Sequence, residues 1–105
     1  MKYLLFVLIF IFNPSVHANA KPANPQAMLV IIGAVKYYNE NCGGLNYAGV
    51  EQMNKGLRYF KMDRTPVAEL EKQPLAISSY ETAQKFGCEE TKKQARQAGF
   101  GQYIN

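Results

Sequence analysis

The chain has 105 residues, with 12 Lys and Arg against 8 Asp and Glu, two cysteines and a single histidine. That length supports one small domain. The mildly basic balance, with no aromatic-basic ribonucleoprotein motif, falls short of a nucleic-acid-binding composition, so no nucleic-acid partner is expected.

The chain opens on a basic tip at Lys2, an apolar run from Tyr3 to Phe12, a break at Asn13-Pro14, and Ala18-Asn19-Ala20. These are the three parts of a secretory signal peptide over residues 1–20. The run is too short for a membrane-spanning helix, which needs about 20 apolar residues, so no stable span is expected after cleavage. Cleavage removes Lys2 and His17 and leaves 11 basic side chains against 8 acidic, a net charge of +3. The expected location is the bacterial periplasm or the outside of the cell.

Residues 21–25 carry Pro22 and Pro25 and read as an extended leader, because proline lacks an amide donor and restricts the residue before it. A helical domain is expected over 26–100. Its first helix runs from Gln26 to Asn41. Met28, Ile31, Ile32, Val35 and Tyr38 fall on one face, widened by Leu29 and Val30. Continuing that spacing reaches Cys42, whose thiol points inward. Gly43-Gly44 ends the helix.

Asn46 is positioned to cap a second helix, with Leu45 and Val50 spaced for a hydrophobic staple. Val50, Met53, Leu57 and Phe60 give its apolar stripe, Glu51 and Lys55 an outward pair. Gly49 or Gly56 can mark a close helix–helix approach. Thr65-Pro66 predicts a short third helix, capped by the threonine and ended by Pro74. Ser78-Ser79-Tyr80-Glu81 matches a capping box and predicts the start of a last long helix. Gly87 can kink that helix, and Gly99 stops it with Phe100 folding back. Residues 101–105 read as a tail.

Cys42 and Cys88 are expected to form a disulfide. A domain of 85 residues buries only about 60% of its unfolded surface and is marginal without help. In an oxidising compartment a disulfide is the usual help. The chemistry needed for catalysis is scarce. Without histidine, Ser-His-Asp and Cys-His arrangements and the usual zinc ligands go together. With both cysteines bridged no thiolate remains. The paired acids, Glu69 with Glu71 and Glu89 with Glu90, are too close in sequence to face one another on a helix. No enzyme activity, cofactor or metal is therefore expected.

What remains is surface. Lys55, Arg58, Lys61 and Arg64 spread over the outside of the second helix, with Tyr59 among them. Tyr and Arg are enriched at interface hot spots, so Arg58, Tyr59, Lys61 and Arg64 are candidate contacts for an acidic protein partner. Tyr37 and Tyr38 are about 100° apart on the first helix, so one of them is expected to stay exposed as a further contact. Lys92, Lys93 and Arg96 complement the negative end of the last helix or meet an anionic lipid.

The expected fold is therefore all-α, a small bundle of three to four helices stapled by one disulfide. In architecture it is similar to small disulfide-bridged helical periplasmic proteins. These include immunity proteins against secreted effectors, phage-encoded lysozyme inhibitors and acid-stress chaperones. The leading expectation is an exported, non-catalytic protein-binding module, an inhibitor or immunity-type protein against a toxin or cell-wall hydrolase. The alternatives are a periplasmic chaperone or adaptor and a secreted cationic membrane-active protein.

Overall fold

The computed structural model describes residues 24–105. The expected signal peptide and residues 21–23 of the leader lie outside them. The described residues form an all-α fold: α1 (Pro25–Asn41), α2 (Tyr47–Tyr59), a one-turn α3 (Val67–Leu70) and α4 (Pro74–Gln97), followed by a 3₁₀ turn at Gly101–Tyr103. Among these residues no helix is long and apolar enough to cross a membrane.

Helix α1 begins slightly before its expected start. The Asn24 side chain accepts a hydrogen bond from the Ala27 amide at 2.8 Å, and Pro25 takes the first helical position. There its missing N–H costs nothing and its fixed φ suits the helix. The last two residues of the expected leader thus start α1. At its other end Gly43 and Gly44 both have positive φ, and the amides of Cys42 and Gly44 donate to the Tyr38 carbonyl.

Asn46 caps α2 as its position suggested, accepting from the Gly49 amide at 2.8 Å. Val50, expected on the buried stripe, is exposed instead. The covered face of α2 is centred on Gly49, Met53, Gly56 and Leu57, and Val50 falls on its flank. A Cβ on Gly56 would lie 3.1 Å from the Met28 sulfur, so this is where α2 approaches α1. After Tyr59 the chain turns through Lys61 at φ 58, with the Met62 amide bonded back to the Leu57 carbonyl at 2.7 Å. This is the closed C-terminal turn usually given to glycine, built here on a lysine.

Two expectations about prolines and caps are corrected. Helix α3 begins at Val67, one residue late, with Pro66 extended and no side-chain cap from Thr65. Helix α4 begins at Pro74, not at the Ser78–Glu81 box. Pro74 does both jobs: it holds Gln73 extended, which ends the preceding turn, and it supplies the first helical position of α4. Ser78 and Ser79 then lie inside the helix. The Ser79 hydroxyl donates to the Val30 carbonyl of α1 at 2.6 Å, and the Thr82 hydroxyl to the Ser78 carbonyl at 2.9 Å.

Helix α4 is broken at Gly87, where φ is 80 and ψ is 175. That backbone region is essentially restricted to glycine. The Thr91 hydroxyl bridges the break to the Ala83 carbonyl at 3.3 Å. Immediately after the break Cys88 meets Cys42, with Cα atoms 5.4 Å apart and 46 positions between them in sequence. Closing a loop of that length is worth about 4 kcal/mol in the chain-entropy picture. Gly99, at φ 89, ends the helix, and the Phe100 amide folds back to the Ala95 carbonyl at 2.8 Å.

The most extensive helix contact is α1 against α4. Met28, Ile32, Leu57, Leu70 and Ala76 form one buried cluster, with Leu29, Met53, Phe60 and Met62 packed around it. Val30 and Ala34 form another with Leu75 and Phe86. Each fully buried aliphatic side chain contributes about 1.5–3 kcal/mol relative to exposure.

Residues 101–105, expected as a tail, are a strap instead. Ile104 makes an antiparallel bridge with Leu45. The Asn46 amide donates to the Tyr103 carbonyl at 3.0 Å, and the Asn105 amide to the Gly44 carbonyl at 3.0 Å. The Asn105 side-chain amide reaches the Gly43 carbonyl at 3.0 Å. A backbone whose polar groups are paired in this way is fixed. Gly49 lets it lie close, because a Cβ there would overlap the Tyr103 carbonyl oxygen.

Candidate functional site

Two surfaces carry the contact side chains that the sequence singles out, and the structure adds a third. The first is the outer face of α2. At 100° per residue, Tyr47, Arg58, Glu51, Lys55 and Tyr59 fall within about 120° of arc. Tyr47 is 78% exposed and Tyr59 80%, which is unusual for large aromatic rings in a small domain. Tyr59 rests edge-on against Phe60, with ring centroids 4.9 Å apart. Lys55, Arg58, Lys61 and Arg64 are all exposed, and none closes an ion pair among the described residues. Glu51 and Lys55, expected to pair, do not. The structure therefore places Arg58, Tyr59 and Lys61 together at one end of α2, with Arg64 in the turn that follows.

The second surface surrounds the tyrosine pair. Both rings are covered: Tyr37 is 8% exposed and Tyr38 4%. The expectation that one stays exposed is corrected, and the reason is that α1 is covered on two sides. Tyr37 packs edge-on against Tyr80 of α4, centroids 5.9 Å apart. Tyr38 turns the other way and donates its hydroxyl to the Asn105 main-chain oxygen of the strap at 2.7 Å. Burial raises the Tyr38 hydroxyl pKa above its ordinary value, and the nearby Arg96 guanidinium takes back part of that rise. Tyr80 carries further polar contacts in this region. Its hydroxyl donates to Glu40 at 2.6 Å, and the Lys36 ammonium sits 4.6 Å from its ring centre. The Glu40 hydrogen bond, and then burial, raise the Tyr80 pKa.

The third surface was not foreseen. An apolar cleft of 80 Å³ opens between α1, α2, the second half of α4 and the strap. Its walls include Ile31 and Val35 of α1, Met53 of α2, Ala95 of α4, and Leu45 with Ile104 from the bridge. Two polar groups at its edge are engaged elsewhere, the Tyr38 hydroxyl with Asn105 and the Thr91 hydroxyl with Ala83, and the Gln52 side chain also borders it. Reading residues 101–105 as a tail hid this site. The signal available was the apolar content of that segment, since Tyr103 and Ile104 are poor candidates for a solvated end.

Among the described residues no three or more His, Cys, Asp or Glu side chains gather as a metal site. Both cysteines are bonded to each other. Comparison of the chain with known protein families, with curated proteins and with solved structures found no match.

Proposed function

We propose that this protein is an exported, non-catalytic protein-binding module, an inhibitor or immunity-type protein that caps a toxin or cell-wall hydrolase. Its docking face is the outer side of α2 and the turn that follows. The observation that carries this reading is the pair of exposed tyrosines, Tyr47 and Tyr59, set beside Lys55, Arg58, Lys61 and Arg64, which close no ion pair among the described residues. Rigid aromatic rings next to arginine are what protein interfaces use as anchors. Cations around them steer an acidic partner and fix its orientation. The disulfide supports the reading twice: it suits an oxidising compartment, and it holds the face rigid so that little ordering entropy is lost on binding. Tyr37 and Tyr38 leave the candidate contact set, because both are covered.

The test is affinity capture from the native periplasm with the wild-type protein and with Tyr59→Ala and Arg58→Glu side by side. The expected result is one acidic protein recovered in stoichiometric amount, at least ten-fold depleted by either variant and released at high salt. Repeated recovery of the bait alone overturns the reading. Leakage of anionic vesicles at low salt, abolished at high salt, would favour the membrane-active alternative. A sharp rise in apolar-dye binding below neutral pH would favour the chaperone.

A further inference from the structure

We propose that the cleft between α1, α2, the second half of α4 and the strap takes the apolar chain of a free fatty acid, its carboxylate held at the rim by Arg96. This does not rest on the protein-docking reading, which concerns the opposite, outer face of α2.

The first observation is the cavity itself. A volume of 80 Å³ is several times the roughly 10–15 Å³ that one water requires. Water needs polar partners, and these walls offer almost none. Aliphatic and thioether groups line it: Met28, Ile31, Val35, Leu45, Met53 and Ile104. Several of these are only half-buried by the protein, so an apolar occupant would complete their burial.

The second observation is charge at one edge. Thr91 and Ala95 of α4 face the cleft, and Lys92 and Arg96 each follow one of them by a single residue, about 100° round the helix. Arg96 packs beside the start of the strap: a Cβ on Gly101 would lie 3.4 Å from its Cγ. Its guanidinium is near enough to influence the Tyr38 hydroxyl, which is part of the cleft wall. Neither Lys92 nor Arg96 closes an ion pair among the described residues. An apolar slot with a guanidinium near its lip is complementary to an amphiphile with an anionic head.

The experiment titrates the mature, oxidised protein with laurate below its micelle concentration, by calorimetry and by NMR shift mapping. The expected result is one saturable site, with shifts centred on Ile31, Val35, Leu45 and Ile104. Affinity should rise about four-fold per methylene from octanoate to laurate, as burial of successive methylenes requires. Arg96→Glu should weaken laurate about ten-fold and leave dodecanol unchanged. Ala95→Phe, which fills the slot, should abolish binding of both; Val35→Phe repeats that test should the first variant not fold.

The absence of saturable binding overturns the proposal. So does equal affinity for laurate and dodecanol, or shifts located away from the cleft. Cleft shifts produced by phosphatidylglycerol vesicles but not by laurate would overturn it in favour of a membrane lipid. Cleft shifts that appear with protein concentration alone, together with a dimer in light scattering, would overturn it in favour of a second copy.

Discussion

The two covered sides of α1 are closed by different means. Along one side, Val30, Gly33, Ala34 and Tyr37 meet the first half of α4. Gly33 has no room for a Cβ, which would overlap the Ala76 carbonyl, and Ser79 ties the two helices through the Val30 carbonyl. Along the other side, Ile31, Val35 and Tyr38 face the second half of α4, α2 and the strap, and a cleft remains between them. One side is a close contact between two helices. The other is a lid of hydrogen-bonded backbone over an apolar slot. A core that can be filled by side chains generally is, so the open side is where a ligand has something to complete.

The break at Gly87 and the disulfide divide these two sides. Replacing both cysteines with serine should produce the largest effect, a loss of about 2–5 kcal/mol. Urea unfolding would measure it, and a midpoint unchanged from wild type would show that the staple contributes nothing. Next comes the closed side. Gly33→Ala should cost about 3 kcal/mol, because the methyl meets a carbonyl oxygen that cannot rotate away. Thermal unfolding checks it, and a tolerated alanine would mean that α1 and α4 can slide apart.

Gly87→Ala meets no atom within 4 Å, so its cost is conformational alone, about 2 kcal/mol. A D-alanine introduced there by semisynthesis should recover most of that loss, since positive φ suits it. Equal stability of the two would mean that the break is not fixed.

On the open side, Tyr38→Phe removes the hydroxyl that holds Asn105 and should cost about 1 kcal/mol. The sign of its pH dependence follows from the raised pKa. The wild-type contribution is fully present below the ordinary tyrosine value of 10.0 and is lost as pH rises through the folded pKa. Stability measured from pH 9 to 12 should therefore fall more steeply for wild type than for Tyr38→Phe, and parallel curves would contradict this. The smallest effect is a gain. Lys61→Gly relieves a left-handed lysine and should stabilise by about 1 kcal/mol, away from both sides of α1. Because Lys61 is also a candidate contact, that variant separates stability from binding in the capture experiment.

Features that depend on near neighbours were legible in the chain. The 3.6-residue periodicity marked α1, α2 and α4, Asn46 and Gly99 marked a beginning and an end, and Gly87 marked a break. The pairing of Cys42 with Cys88 followed from there being only two cysteines in a chain read as exported. Each of these rests on contacts within about one helical turn or on a simple count. Tertiary structure alone decided which surfaces are covered. Tyr37 and Tyr38 point in different directions, and both are buried because Tyr80 arrives from one side and Asn105 from the other. The strap lies where it does because the backbone of residues 103–105 finds partners at Gly44 and Asn46, some sixty positions away. No local pattern encodes such a meeting, and the cleft exists only because of it.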